Sequence, residues 1–466
     1  MKKTLAMLLA LMMLLACVPA MAEDVENPYA EYGVELKIDP ATGKPYDLGG
    51  MVVTVVDWWS GDWHDDEPTT TAGEDTKAYR EWIEETYNFT INRISATGWP
   101  GADDFVNIAT TGTEENYVWV IAPGKWQSAM RSGLMYDLTT LDCLDFTAEK
   151  WNGTIKNLGT MGEAIYTMRP EAAEPRKGIF FNYRLLSEAG VDPESIYDMQ
   201  ANGTWTWAAF EELCSKLTRD TDNDGIIDRY AMMSFSSHFM PAALVSNGVG
   251  FVMVDENGKY YNAAETDAFL TAANWVEDMV KKYEMPTPEG ANWDYFESAF
   301  KNAEVALQCH EDYFAGSLSE MEDDYGFVLF PKPSEEASYL WAPSNNVYCI
   351  PACYDHDTAW KIAFAFDLFT ESTPGYTDSE DWKTDYYKKY RDDRAVDDTL
   401  TMMRSNDTQF VWYADMIPGY DLGSQYLWSV YGINPSATPV EKAEEMRATW
   451  QTYLDDANGI ATQTAE

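Results

Sequence analysis

The sequence predicts an α/β fold, and the pattern of its first elements carries that prediction. Residues 51–56 form a continuous apolar run rich in β-branched side chains. Such a run is typical of a strand that is buried on both faces of a parallel sheet. An amphipathic helix over 79–87 follows, and 89–94 and 117–121 are two further short strands. Strand, helix and strand in this order predict βαβ units.

The later elements are predicted from helix caps and apolar stripes. Thr206 and Thr266 each precede a run with one apolar face, and Thr438 with Glu441 forms a capping box with Pro439 at the first helical position. In chain order we expect a helix after Thr206, a helix after Thr266, strands at 305–307 and 326–330, a helix at 358–369 and a last helix to about Asp455.

The N-terminus has the organisation of a secretory signal. Two lysines precede an apolar run over 5–16 that is too short to span a bilayer, and Ala20-Met21-Ala22 is a small-residue cleavage motif. Cleavage after Ala22 is one reading. The other is acylation of Cys17, because residues 14–17 resemble the lipobox of bacterial lipoproteins. The signal peptide is therefore assigned to 1–22, and the Pro- and Gly-punctuated segment 23–48 is predicted to be a flexible leader.

Composition excludes several classes of protein. The chain of 466 residues carries 78 acidic and 32 basic residues, a net charge of −46, so nucleic acid and anionic membrane are poor partners. No later apolar run reaches membrane-spanning length, which leaves a lipid anchor as the only membrane attachment. Five cysteines beyond residue 22 are an odd number and argue against a disulfide framework, although Cys349 and Cys353 could close one small bridge.

The sequence does not indicate an enzyme. It contains no nucleophile elbow, no His-Glu-x-x-His and no phosphate-binding glycine loop. With 78 acidic residues, a pair of carboxylates at glycosidase-like spacing is inevitable and carries no weight. A glycoside hydrolase stays the enzyme-class alternative.

One acidic loop has the spacing of a calcium site. Asp220, Asp222, Asp224, the carbonyl of Ile226 and Asp228 occupy positions 1, 3, 5, 7 and 9 of an EF-hand-like loop, with Gly225 at the turn. Position 12 is Ala231 instead of the bidentate glutamate. The alternatives are a structural calcium ion and an Asx-rich turn that holds no metal.

Aromatic and polar side chains follow the first strand. The loop contains Trp58, Trp59, Asp62 and Trp63. Sugar rings present an apolar C–H face and a rim of hydroxyls, so aromatic platforms beside carboxylates suit them. We therefore predict these four as ligand-binding residues, against core filling as the alternative.

Several stretches resemble the extracellular solute-binding proteins of carbohydrate ABC transporters, the family that includes the maltose-binding proteins. GIFFNYRLLSEAGVDP at 178–193 is similar to the family's YYNKDLFEEAGLDP, and TWTWAAFEEL at 204–213 is similar to its TWDEFLEAAKKL helix. Further matching stretches are 132–138, 303–307, 326–331 and 359–362. Together they cover about residues 50–370.

The resemblance implies a two-lobed periplasmic-binding-protein-like fold of type II, with the ligand cleft between lobes joined by a hinge. It implies residues 49–177 plus 340–370 in lobe 1 and 178–339 plus 371–466 in lobe 2. Independently of the resemblance, the polar, charge-dense composition of 371–398 predicts a surface excursion between the lobes. The further ligand-binding residues that it implies are Lys125, Trp126, Arg176, His238, Glu311, Tyr313, Trp341 and Asn345.

The function that the resemblance implies is capture of a carbohydrate outside the cell by hinge closure and delivery to the permease of an ABC importer. The protein would be secreted or lipid-anchored, monomeric and free of cofactors apart from the calcium ion. A binding protein for peptides or other polar solutes is the first alternative, because fold does not determine the ligand. A surface adhesin or sensor without an importer is another.

Overall fold

The computed structural model describes residues 26–463 except 69, 96–97, 99–100, 123, 171–175, 344–345, 377–381, 406–407 and 433–434. The predicted signal and Cys17 lie outside the described residues. No helix among the described residues is long and apolar enough to cross a membrane.

A four-stranded sheet forms the centre of the first lobe. Its strands are β1 (Met51–Asp57), β2 (Phe89–Ser95), β3 (Asn116–Ile121) and β7 (Val347–Cys349), in the order β7-β3-β1-β2. β1 runs parallel to β2 and β3, whereas β7 is antiparallel to β3. Val53 and Val55 of β1 belong to one core cluster while Val56 belongs to another, so both faces of the strand are covered as predicted.

A three-stranded antiparallel sheet forms the centre of the second lobe. β4 (Lys177–Asn182) lies between β5 (Leu307–Glu311) and β6 (Tyr325–Leu329). Gly326 pairs with Phe181, and a Cβ at Gly326 would lie 2.2 Å from the Phe181 ring, so only glycine fits there. β5 begins two residues later than the sequence predicts, because Val305 and Ala306 lie in the irregular segment between the turn at 302–303 and the strand.

Helices surround both sheets. In chain order they are Thr71–Tyr87, Ala102–Thr111, Trp126–Arg131, Gly153–Leu158, Tyr183–Glu188, Glu194–Ala201, Trp207–Leu217, Ser236–Ser246, Asp267–Tyr283, Tyr295–Lys301, His356–Phe369, Lys383–Tyr387, Thr401–Arg404, Trp428–Tyr431 and Pro439–Gln463. The predicted caps are in place, since the hydroxyls of Thr206, Thr266 and Thr438 each accept the N–H three residues on.

Three chain segments run side by side between the two sheets. Arg176, just before β4, pairs with Pro343, just before β7, and Trp341 pairs with Gln409. The Trp341 amide donates to the carbonyl of Thr408 at 2.9 Å. The segments before β4 and β7 connect the lobes and form the floor of the space between them, and the segment with Gln409 packs beside them.

Two segments differ from expectation because tertiary contacts hold them. In the leader, Tyr29 contacts Tyr79 and Trp82 edge-on, and the Lys37 amide donates to the Tyr87 hydroxyl at 3.0 Å, so the described residues 26–48 pack on lobe 1 and are not a flexible leader. The last helix continues past Asp455 to Gln463.

The extension of the last helix has a visible cause. The Asn458 side chain accepts the N–H of Tyr260 at 2.8 Å and donates to its carbonyl at 2.9 Å, which holds the helix against the Val252–Asn262 hairpin. In the stretch 371–398, Tyr390, Ala395 and Val396 are buried in the core, and the Tyr390 hydroxyl donates to the carbonyl of Asp312 at 2.9 Å. That part of the stretch is therefore not a surface excursion.

Candidate functional site

A large cleft lies between the two lobes and has a volume of about 1980 Å³. The loops after β1 and β3 line one wall, the ends of β4 and β5 line the opposite wall, and the connecting segments line the floor. Seven of the residues predicted to bind ligand line it, namely Trp58, Trp59, Lys125, His238, Glu311, Tyr313 and Trp341. Carboxyl ends of parallel strands are where α/β proteins place ligand loops, as expected.

Asp57 positions the aromatic residues of the first wall. It is the last residue of β1 and is fully buried, and its carboxylate accepts the amide protons of Trp59 at 2.9 Å and Ser60 at 2.7 Å. This Asx turn leaves the Trp59 side chain 50% exposed in the cleft, with its ring edge-on to Trp58 at 4.8 Å between centroids.

The second wall carries an ion pair at the start of its sheet. The Lys177 ammonium lies 3.1 Å from the Glu311 carboxylate across neighbouring strands β4 and β5. Burial alone would raise the pKa of Glu311, but the Lys177 charge lowers it to about 2. Burial likewise opposes the charge on Lys177, yet Glu311 raises the pKa of that amine. Both groups therefore stay charged at the cleft surface.

Histidine and tyrosine rings continue this wall. His238 and His310 lie 4.6 Å apart between ring centroids, and Tyr313 contacts His310 edge-on at 5.5 Å. Burial, with a smaller effect of His310, lowers the pKa of His238 to about 3, so its ring is neutral. Its Nδ1 has no hydrogen-bond partner among the described residues. Tyr313 is 56% exposed and faces the cleft.

A buried ion pair stabilises the floor of the cleft, and one of its members is Arg176, which the resemblance predicted as a ligand contact. The Arg176 guanidinium is fully buried and lies 2.8 Å from the Asp312 carboxylate, and the Arg176 amide donates to the same side chain at 3.0 Å. Its guanidinium carbon lies 5.9 Å above the Trp341 ring, whose Nε1 donates to the Thr408 hydroxyl at 3.0 Å. Arg176 does not line the cleft, so its prediction as a ligand contact is wrong.

Three other predicted contacts are placed elsewhere. Trp63 is 2% exposed, and its Nε1 donates to the carbonyl of Ile91 at 2.8 Å inside the lobe 1 core. Trp126 is fully buried in the larger core cluster. Asp62 caps the turn that follows and accepts from the His64 amide and ring. The structure therefore places none of these three side chains in the cleft, because core packing and capping occupy them. Asn345 lies outside the described residues.

Sequence reasoning missed four residues that line the cleft. Trp293, 66% exposed, precedes the helix Tyr295–Lys301, and Trp428, 56% exposed, begins the helix Trp428–Tyr431. Glu284 and Asp415 are carboxyls whose pKa values burial raises to about 8 and about 7. The sequence did contain a cue for Trp293, because it lies in the short polar segment 290–294 rather than on an apolar helix face or strand.

The acidic loop brings together three of its five predicted ligands. One carboxylate oxygen from each of Asp220, Asp222 and Asp224 lies within 4.8 Å of the others. Asp220 also accepts the amide proton of Gly225 at 2.8 Å, which closes the turn. The Asp228 carboxylate instead accepts the amide of Thr221 at 2.5 Å, and the side chain of Ile226 is exposed. The chemistry of this oxygen cluster fits a hard cation such as calcium.

Solved structures with the same fold are bacterial binding proteins. UgpB from Mycobacterium tuberculosis, solved in complex with glycerophosphocholine, is similar with a TM-score of 0.63 at 16% identity, over 88% of this chain and 99% of that one. The GacH receptor of Streptomyces glaucescens, solved unliganded and with acarbose, gives a TM-score of 0.57 at 16% identity, over 87% and 99%.

A third similar structure is the ABC-transporter-associated binding protein from B. animalis subsp. lactis Bl-04, in complex with beta-1,6-galactobiose. Its TM-score is 0.56 at 15% identity, over 88% of this chain and 99% of that one. At these identities the likeness shows the fold, and the predicted two-lobed, type II α/β fold is confirmed. A comparison with curated proteins finds no significant match.

The sequence itself matches a family profile. The bacterial extracellular solute-binding protein family matches residues 72–366, which is more than half of the chain. That match includes Lys125 of the first wall and Glu311, Tyr313 and Trp293 of the second, whereas Trp59 and Trp428 lie outside it. This chain therefore belongs to the bacterial extracellular solute-binding protein family.

Proposed function

We propose that this protein is the binding component of an ABC importer and that its ligand is a carbohydrate. The observation that carries the proposal is the exposure of aromatic rings on both walls of one cleft. Trp59 lies on the first wall, and Trp293, Tyr313 and Trp428 lie on the second. Aromatic faces at the surface of a cleft suit the C–H face of a sugar ring, with polar groups beside them for the hydroxyls.

Polar groups of both signs stand among these rings. Lys125 on the first wall donates only, while burial raises the pKa values of the Glu284 and Asp415 carboxyls on the second, which donate when protonated and accept when ionised. The Lys177–Glu311 pair adds a charged donor and a charged acceptor. Such a mixed set suits hydroxyl groups, each of which is both donor and acceptor.

Closure over the ligand follows from the placement of the rings. A ligand shifts an equilibrium between open and closed lobes only by its difference in affinity for the two states. A sugar that contacts Trp59 alone would not close the cleft. A sugar that contacts Trp59 and a ring of the second wall favours the closed form, because only closure brings both rings to it.

The ligands of similar structures support a carbohydrate. Acarbose, mannobiose and beta-1,6-galactobiose are bound in three of them, and D-mannitol in a fourth. UgpB instead holds glycerophosphocholine, so the fold also accommodates polar solutes of another class. The choice for this chain therefore rests on its own exposed rings.

The test is a thermal-shift screen with mono- and oligosaccharides, dipeptides and glycerophosphocholine. A ligand present at 100 times its dissociation constant adds about 2.7 kcal/mol to the free energy of unfolding. We expect stabilisation by sugars alone, and loss of it in Trp59→Ala. Stabilisation only by peptides or phosphodiesters would contradict the carbohydrate assignment. Release of reducing ends from a bound oligosaccharide would instead indicate a glycoside hydrolase.

We also propose that residues 1–22 direct export and are removed, or that Cys17 is acylated and anchors the protein. The family is extracellular, which supports a location outside the cytoplasm. The delivery partner would be the permease of the importer, reached by the mature protein as a monomer. Mass spectrometry of exported protein distinguishes an N-terminal Glu23 from a lipidated Cys17, and an intact Met1 would contradict both.

We propose finally that the Asp220–Asp228 loop binds one calcium ion that stabilises the second lobe. Asp220, Asp222 and Asp224 would supply the carboxylate oxygens, and their convergence supports the proposal because a cation would offset the repulsion among three carboxylates. The loop does not line the cleft. Calcium would therefore affect stability and not the contacts with the sugar.

A further inference from the structure

The exposed tryptophans among the described residues all lie in the cleft. Among the described residues only Trp59, Trp293 and Trp428 are tryptophans more than a third exposed, and all three line the cleft. Tyr313 joins them there with 56% exposure. A tryptophan side chain left half in water gives up about half of the free energy that its complete burial would contribute. Its repetition in one cleft indicates that a ligand covers these rings.

The four rings are separate platforms. None of them stacks on another, and each stands on a different element of the fold. Trp59 is supported by Trp58 at 4.8 Å, Trp293 by Phe235 at 5.6 Å and Tyr313 by His310 at 5.5 Å between ring centroids. Trp428 belongs to the C-terminal part of the chain and contacts none of these supporting rings.

The size of the cleft agrees with this arrangement. Pockets for drug-sized ligands have volumes of roughly 300–1000 Å³, whereas this cleft has about 1980 Å³. One pyranose ring has two faces and can therefore stack on two platforms at most. Four separate platforms need more than one sugar ring to cover them.

We infer that the ligand is an oligosaccharide of at least two sugar units, whose successive rings stack on Trp59 and on the platforms of the second wall. The inference rests on the proposed carbohydrate function and adds the length of the ligand to it. The platforms act through separate sugar units, so their contributions to binding are distributed along the chain of the ligand.

The experiment is titration calorimetry with malto-, β-1,4-manno- and β-galacto-oligosaccharides of one to six units. In the series that binds, we expect affinity to rise at least tenfold from the monosaccharide to the trisaccharide. Equal affinity for the two would overturn the inference while leaving the carbohydrate function intact. Absence of binding in all three series would overturn both.

Alanine variants of the four platforms give a second readout. Stacking on an aromatic ring contributes about 1–3 kcal/mol, so removing the ring of a platform that the ligand contacts should weaken binding by about 5- to 150-fold. We expect losses in at least three of the four variants with the tightest oligosaccharide. Losses in two or fewer would fit a single sugar ring and overturn the inference. Tyr261→Ala is the control, because Tyr261 is 41% exposed outside the cleft.

Discussion

Truncation of Trp126 to alanine should lower the free energy of unfolding and leave sugar affinity largely unchanged, whereas truncation of Trp59 should weaken sugar binding and lower the free energy of unfolding less. Trp126 is fully buried and Trp59 is 50% exposed in the cleft. A tryptophan side chain covers about 150–250 Å². At roughly 25 cal/mol per Å², its complete burial corresponds to about 4–6 kcal/mol.

Because alanine retains part of that burial and the cavity relaxes in part, the expected loss for Trp126→Ala is about 3–5 kcal/mol. Trp59 buries only half of its surface, so by the same arithmetic Trp59→Ala should lose at most about 2–3 kcal/mol of stability and about 5- to 150-fold in affinity. Urea unfolding followed by circular dichroism measures the first quantity, since it does not depend on the fluorescence of the removed ring. Titration calorimetry with the tightest sugar measures the second.

The outcome that would refute this reasoning is the opposite assignment. If Trp126→Ala unfolds at the wild-type urea concentration and loses affinity while Trp59→Ala does not, then Trp126 faces the ligand. Trp63→Ala serves as a second buried control in the same loop as Trp59. Its ring is 2% exposed and bonded to Ile91, so it should behave like Trp126→Ala.

Three further predictions concern the floor, the second wall and the acidic loop. Asp312→Ala removes the carboxylate that neutralises the buried Arg176 charge, so it should lower the free energy of unfolding by about 3–5 kcal/mol. Arg176→Met combined with Asp312→Leu should lower it less, because no buried charge is left. Equal losses of the two variants in urea unfolding would contradict the ion-pair account. Burial raises the pKa of Glu284 to about 8 from 4.5, so the folded state keeps a proton that the unfolded state releases, and stability should fall as pH rises from about 4.5 to about 8. Glu284→Gln should reduce this pH-dependent loss of stability by roughly 2–4 kcal/mol, measured by urea unfolding at about pH 4.5 and about pH 8. A pH profile of stability that matches the wild type would refute the raised pKa of Glu284. Calcium should raise the melting temperature of the wild type but not of Asp222→Ala combined with Asp224→Ala, and a chelator without effect on the wild type would show that the loop is only a turn.

The sequence by itself determined the elements whose causes are local. The β-branched run at 51–56 becomes a strand because both of its faces are apolar. The helices after Thr206, Thr266 and Thr438 begin where predicted, because a cap involves only residues three positions apart. The family and fold class were also predicted from the sequence, because stretches such as 178–193 and 204–213 resemble family motifs, and the profile match and the similar structures confirm both.

The length of the last helix and the attachment of the leader depended on contacts that no local pattern contains. Asn458 is 198 residues from the Tyr260 backbone that it bonds. The Tyr87 hydroxyl accepts a hydrogen bond from the Lys37 amide, which lies 50 residues away in the sequence. Sequence patterns describe neighbours along the chain, so the partners of such side chains become known only when the chain is folded.

The cleft shows the same division at the level of single side chains. Trp59 and Trp63 stand four residues apart in one loop of similar composition, yet one ring faces the cleft and the other enters the core. Asp57 turns the backbone at Trp59, and the Ile91 carbonyl on a neighbouring strand receives the Trp63 ring N–H. The local sequence determined that aromatic rings would follow the first strand. Only the tertiary structure decided which of them faces the cleft, because exposure depends on what the rest of the chain covers.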